Sequence, residues 1–206
     1  MDTANHVPSI NYTLLGRAAS YYEKLGYSQV HLPWTVDDEA YYLTAPANSK
    51  SMTLYATQND DRVKTKKGRL VASAEQSFVN CLLKGQQFDK CFAITPCFRD
   101  EPKYDWYHYP YFMKLELYAP FHGDESEVLA MMEDAFNLMN IYIPCKKVPV
   151  DKGYMAYDIE TKAGVELGSY GVRELREYRW IYGTGLAEPR FSNELRLYGY
   201  GTTTGL

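Results

Sequence analysis

The chain has 206 residues, of which 46% are hydrophobic and 23% charged, with a formal net charge of −4 at pH 7. That length holds one well-packed domain with little room for two, and the acidic balance argues against a broad basic surface tracking a phosphate backbone. No run approaches the roughly 20 apolar residues of a membrane helix, and the N-terminus Met1–His6 lacks a basic region followed by an apolar one, so the expectation is a cytoplasmic single domain over residues 1–206 with no membrane partner.

In chain order, Leu14, Leu15, Ala18, Ala19, Tyr22 and Leu25 recur at helical spacing and Gly26 follows as a stop, which predicts a helix over Asn11–Leu25. Tyr27–Trp34 alternates apolar and polar positions before Pro33 interrupts, an edge-strand pattern. Ser51–Tyr55 is a short strand, Asn59–Lys67 a polar turn, and Leu70–Ser73 leads into a helix over Glu75–Leu83. Cys91–Phe98 and Phe112–Tyr118 form a long hairpin around the polar, aromatic stretch Arg99–Tyr111. Glu125–Leu138 is a helix with Val128, Leu129, Met132, Ala135, Phe136 and Met139 on its inner stripe. Strands follow at Tyr157–Glu160, Val165–Gly168 and from Trp180, and Pro189 stands where a last helix, Phe191–Leu197, would start. Helices do not alternate regularly with strands, so the fold class is α+β, a mainly antiparallel sheet flanked by helices.

The four cysteines form no CxxC pair and are assigned to packing as reduced thiols. Three constellations carry chemistry. The hairpin places Arg99, Glu101, Phe112 and Glu116 near the facing ends of its strands. An arginine there can hold a phosphate by two hydrogen bonds, a phenylalanine can stack on a purine, and a carboxylate can accept from amino groups. Cross-strand ion pairing on a solvated face is the competing reading. In Gly183–Arg190 the glycines are expected to let backbone approach a ligand, with Arg190 at a helix start. In Glu166-Leu167-Gly168-Ser169 a carboxylate and a hydroxyl can share a hard cation bound to phosphates.

Taken together and in this order, the segments resemble the class II aminoacyl-tRNA synthetases. Lys24–Tyr27 with Val30–Trp34 looks like motif 1, Phe98–Glu101 with Phe112–Glu116 like motif 2, and Gly183–Arg190 like motif 3. Ala72-Ser73-Ala74-Glu75 is similar to the threonine-x-glutamate loop of the seryl, threonyl and prolyl branch, and the seryl enzymes look nearest. The resemblance implies ATP and magnesium as cofactors and activation of an amino acid as its adenylate. It further implies that Arg99 holds the α-phosphate and Glu101 and Phe112 the adenine, that Arg190 covers the purine and reaches the γ-phosphate, and that Glu166 and Ser169 bind magnesium. Glu75, within the loop that keeps the Ser73 hydroxyl, would take the substrate ammonium, and Glu116 the side chain or amine. His108 falls where the family often carries a phosphate-binding arginine. Motif 1 implies a homodimer through Leu25–Trp34. Nothing in the 206 residues resembles a coiled-coil arm or an anticodon-binding domain, so the acceptor is a tRNA, a carrier protein or a small amine. A catalytically silent paralogue acting as an accessory subunit is the alternative, and retention of Arg99 and Arg190 favours the enzyme.

Overall fold

The computed structural model describes residues 9–45, 50–57, 64–101, 105–151 and 154–199. Helix α1 spans Tyr12–Lys24 and opens at Asn11, whose side chain accepts from the Leu14 N–H. It ends before Gly26, at φ +85°, a conformation glycine adopts without penalty. The predicted strand over Tyr27–Trp34 is cut down to β1, Ser28–Gln29, and a separate strand, β2, Thr35–Val36, follows it in a different sheet. Pro33 has no N–H to donate and divides the two.

Helix α2, Asp38–Thr44, was not expected: it is under two turns long and too short for a periodic signal. Strands β3, Thr53–Thr57, and β4, Lys64–Leu70, pair antiparallel, and β4 also pairs with β2. Lys64–Lys67 therefore lie in a strand and not in a turn, because Tyr55, Ala56 and Thr57 supply ladder partners that composition could not reveal. The remainder of that turn, residues 59–63, lies outside the described residues.

Helix α3 spans Ala74–Leu83, capped by the Ser73 hydroxyl, and the hairpin is β5, Cys91–Phe98, with β6, Tyr111–Pro120, in continuous register from Cys91 opposite Tyr118 to Phe98 opposite Tyr111. Helix α4 runs from Glu125 to Tyr142 behind an Asp124/Glu127 capping box, a full turn beyond expectation. Its buried stripe is Val128, Met131, Met132, Ala135, Leu138 and Met139, and Leu129 is 39% exposed because it sits one position off the i, i+3, i+4 rows. Then come β7, Cys145–Pro149, an edge strand not expected; β8, Tyr154–Thr161; β9, Glu166–Leu175; β10, Tyr178–Glu188; and α5, Arg190–Leu197.

Seven strands form one sheet in the order β1-β5-β6-β10-β9-β8-β7, antiparallel at every pair except β1–β5. Helices cover both faces. Phe92, Leu117 and Ile181 pack with α1 and α4, while Cys91, Ala93, Tyr118 and Trp180 pack with α2 and α3. Each fully buried large side chain contributes about 1.5–3 kcal/mol by leaving water, which is why strands buried on both faces read as apolar runs and not as strict alternation. No helix among the described residues is long and apolar enough to cross a membrane.

Candidate active site

Along β6, Phe112, Lys114, Glu116 and Tyr118 share one face by strand alternation. Tyr118 stacks on Phe78 of α3, with ring centres 4.7 Å apart. Where α3 ends at its N-terminus the same face is left open, and a cleft of about 590 Å³ lies there. Ser73, Glu75, Arg99, Glu101, Glu116, Glu166 and Ser169 all line it. A recess of about 70 Å³ adjoins it, sharing Arg99, Glu101 and Glu166 and adding Phe112 and Arg190. The fold thus brings together every sequence-predicted site residue except His108.

The floor of the cleft is acidic. Glu116 is buried, accepting from the Ser73 hydroxyl at 2.6 Å and the Ala74 N–H at 2.9 Å, with the Lys114 ammonium 3.2 Å away. Glu75 is buried beside it, its Oε1 accepting from the Trp180 indole N–H at 2.9 Å and lying 3.3 Å from the Arg173 Nε. Burial pushes the Glu75 carboxyl above its ordinary value, and the Arg173 guanidinium opposes that rise. Ser73 therefore does two jobs: it caps α3 through the Glu75 N–H and anchors the Glu116 carboxylate.

The mouth is aromatic and carries charges of both signs. The Arg99 guanidinium lies over the Phe112 ring, 5.0 Å from its centre, and its Nε donates to Ala72 O at 3.3 Å. Arg190, the first residue of α5, donates to Glu166 O at 3.3 Å and lies 3.8 Å from the Glu166 carboxylate. Glu166 and Ser169 line the cleft with hard oxygen donors, the Ser169 hydroxyl hydrogen-bonding Tyr182. Among the described residues no three His, Cys, Asp or Glu side chains converge as a metal cage. Two protein oxygens with phosphate oxygens completing the shell suit magnesium, which keeps few protein ligands.

Two expectations change. The His108 ring is turned out of the recess, half exposed, with Nδ1 2.8 Å from Asp105 Oδ1, and Tyr107 and Tyr109 line the recess in its place. The Tyr107 N–H holds the Asp105 carboxyl below its ordinary range, with His108 adding to the effect. Nor do the glycines of the 183–190 run approach a ligand space. A Cβ on Gly185 would lie 2.4 Å from Leu115 and 2.9 Å from the Tyr22 ring, and one on Gly183 would lie 2.8 Å from Met131 and Tyr170. These positions are small so that β10 can meet α1, α4 and β6.

Sequence reasoning missed Arg173, Trp180, Tyr182 and Glu188. Glu188 is fully buried at the end of β10, and burial raises its carboxyl to about 7. An arginine and a glutamate inside strands carry no periodic signal; only the pairing of β9 with β10 puts Arg173 beside Trp180 and over the Tyr182 ring at 5.0 Å.

The sequence model for "tRNA synthetases class II (D, K and N)" matches residues 4–174, a range that includes the motif 2 hairpin and the Glu166/Ser169 pair. The chain belongs to the class II tRNA synthetases. Solved structures share the fold of this synthetase core at low identity. The cytoplasmic serine-tRNA ligase of Naegleria fowleri, in complex with AMP, superposes with a TM-score of 0.67 at 16% identity over 93% of this chain and 58% of that one. The prolyl-tRNA synthetase of Cryptosporidium parvum, with halofuginone and AMPPNP, gives 0.69 at 14% over 95% and 46%. The pyrrolysyl tRNA synthetase of Desulfitobacterium hafniense gives 0.66 at 18% over 96% and 72%. The chain spans about half the length of the first two synthetases. No curated protein sequence matches it. The class is common to all these matches, whereas the branch differs: the sequence model is that of the D, K and N members, and the structures are seryl, prolyl and pyrrolysyl.

Proposed function

We propose that this synthetase core activates an amino acid with ATP and magnesium, forming an aminoacyl-adenylate and pyrophosphate. The observation that carries the reading is the pairing of an aromatic recess bearing Arg99 and Arg190 with an adjoining cleft whose floor is acidic. Arg99 over Phe112, with Glu101 and Arg190, suits a nucleotide, and Glu75 and Glu116 suit an ammonium group. The seryl and prolyl neighbours carry AMP and AMPPNP.

In this mechanism an oxygen of the amino-acid carboxylate attacks the α-phosphorus in line. The new O–P bond forms as the bond to the bridging oxygen of pyrophosphate breaks, and pyrophosphate leaves with that electron pair. The attacking carboxylate is already ionised, so no general base is needed. Positioning and charge neutralisation do the work. Arg99 neutralises the α-phosphate, Phe112 stacks on adenine while Glu101 accepts from its amino group, and Arg190 holds the far end of the nucleotide. Glu75 and Glu116 orient the ammonium group so that the carboxylate points toward Arg99. Glu166 and Ser169 are the residues that would hold magnesium, which would supply charge neutralisation at the departing pyrophosphate. His108, on Asp105, has no part in phosphate binding in this scheme.

A homodimer through residues 25–34 is part of the proposal, supported by the exposed edge strand β1 and by Leu25 and Trp34, 38% and 57% exposed. The acceptor of the aminoacyl group is a tRNA, a carrier protein or a small amine. Amino-acid-dependent exchange of labelled pyrophosphate into ATP tests the reaction, run across all common amino acids. Exchange with one or a few of them is expected; ATP binding without exchange for any amino acid would leave the accessory-subunit reading.

A further inference from the structure

Two helices that frame the site are incompletely capped by their own sequence: α1 has the Asn11 side chain on its Leu14 N–H but nothing local for the Asn11 N–H, and α5 has no side-chain cap. Helix α1 begins at Asn11 with Leu14 at its third position, so no local carboxylate reaches back to the Asn11 N–H. Helix α5 begins at Pro189, which has no side-chain cap. One carboxylate serves both. Glu188 Oε2 accepts from the Asn11 N–H at 3.3 Å across 177 residues of sequence, and Oε1 accepts from the Ser192 hydroxyl at 2.9 Å. The Ser192 N–H, third in α5, also donates to it. The geometry is a capping box assembled from distant segments. Glu188 is fully buried and its neighbours are donors, so the site is shaped for an acceptor.

Arg190 is the first residue of α5, two positions beyond Glu188, and both residues border the recess. We propose that Glu188 is a positioning residue for nucleotide binding: by capping α1 and α5 together it fixes where α5 starts, and so where the Arg190 guanidinium stands against Glu166 and Tyr107. This rests on the reading of the recess as the nucleotide site. The Arg190 guanidinium lies 3.3 Å from Glu166 O, 3.5 Å from Tyr107 O and 3.8 Å from the Glu166 carboxylate, all long contacts, so the helix start helps to hold it in place.

The charged groups around Glu188 are Arg196 on α5, which favours its ionised form, and across the recess Arg99, Glu101, Lys114, Glu166 and Arg190, with the phenols of Tyr107 and Tyr109. α1 contributes only the uncharged Asn11 contact. When Glu188 takes up a proton, one oxygen becomes a donor among donors and the double cap loosens. The KM for ATP is therefore expected to rise as pH falls through about 7.

The test is pyrophosphate exchange by the full chain, with the KM for ATP and for the amino acid followed against pH. Glu188→Gln keeps the volume but turns an acceptor into a donor. It is expected to raise the KM for ATP about tenfold, the loss of one charge-assisted hydrogen bond, to leave the amino-acid KM within about twofold, and to flatten the pH profile. Ser192→Ala removes a donor that stabilises the ionised form and is expected to move the midpoint of the ATP profile upward. A wild-type KM in Glu188→Gln overturns the proposal. A lowered KM does so as well, because it would mean that the carboxylate merely repels phosphate. Should Glu188→Gln not fold, the Ser192→Ala profile decides: a shifted midpoint supports the role and an unmoved one overturns it. Wild-type protein that binds no ATP at any pH would instead remove the nucleotide reading, and this role with it.

Discussion

Replacing Arg173 by methionine removes the only cation within 4 Å of the Glu75 carboxylate among the described residues. At 3.3 Å, and with an effective dielectric of about 20, the attraction is about 5 kcal/mol. The Arg173 side chain is 39% exposed, so solvent screens part of this, and a net loss of about 2–4 kcal/mol is expected while Glu75 stays ionised. The loss depends on pH. Burial raises the folded-state value of Glu75 above its unfolded one, so stability drawn from its neutral form is present at low pH and lost as pH rises through the folded-state value. Removing Arg173 raises that value further, so the deficit of the variant opens only as pH climbs past the wild-type value. Urea unfolding below the ordinary carboxylate range and at about pH 8 should show a deficit of about 2–4 kcal/mol at the higher pH and under about 1 kcal/mol at the lower, where only the Thr44 hydrogen bond and the Tyr182 ring contact are lost. Equal deficits at the two values would refute the charge pairing.

Gly185→Ala places a methyl group 2.4 Å from Leu115 and should cost about 1–3 kcal/mol, a fall of roughly 2–12 °C in Tm, whereas Gly16→Ala, in α1 with nothing within 4 Å, should be neutral or stabilise by up to about 1 kcal/mol. Calorimetry on the two variants distinguishes packing glycines from incidental ones. Arg99→Ala should lower pyrophosphate exchange by about 100-fold or more with Tm within about 3 °C of wild type, since its hydrogen bond to Ala72 O is long, at 3.3 Å. His108→Ala should leave the KM for ATP within about twofold of wild type, because its ring rests on Asp105 outside the recess. Chelating magnesium should abolish exchange without lowering Tm by more than about 2 °C, as the fold holds Glu166 and Ser169 without it.

The elements legible in the sequence were those with strong periodicity or a clear stop: α1 with Gly26, the β5–β6 hairpin, α4 and β10. α2 and β7 were not, being seven and five residues long. The strand over residues 64–67 hid behind lysines because a small sheet with exposed faces needs no apolar alternation. That Arg99, Glu101, Phe112, Glu116 and Glu75 would meet around one cleft and its adjoining recess was legible because they sit in contiguous motifs whose order matters. Arg173, Trp180 and Glu188 could not, because their meaning comes from register: Trp180 opposite Arg173 across β10 and β9, and Glu188 reaching Asn11 from the other end of the chain. His108 failed for the opposite reason. A motif position does not fix the direction of a ring, and here Asp105 holds it.

Adenylate formation is tested most directly by following an oxygen atom. The active amino acid, labelled with oxygen-18 in its carboxylate, is incubated with ATP, magnesium, the protein and hydroxylamine as acceptor, and the AMP is weighed by mass spectrometry. Attack of the carboxylate on the α-phosphorus predicts one labelled oxygen in every AMP released, alongside the amino-acid hydroxamate. Unlabelled AMP, or ADP in its place, would contradict the account.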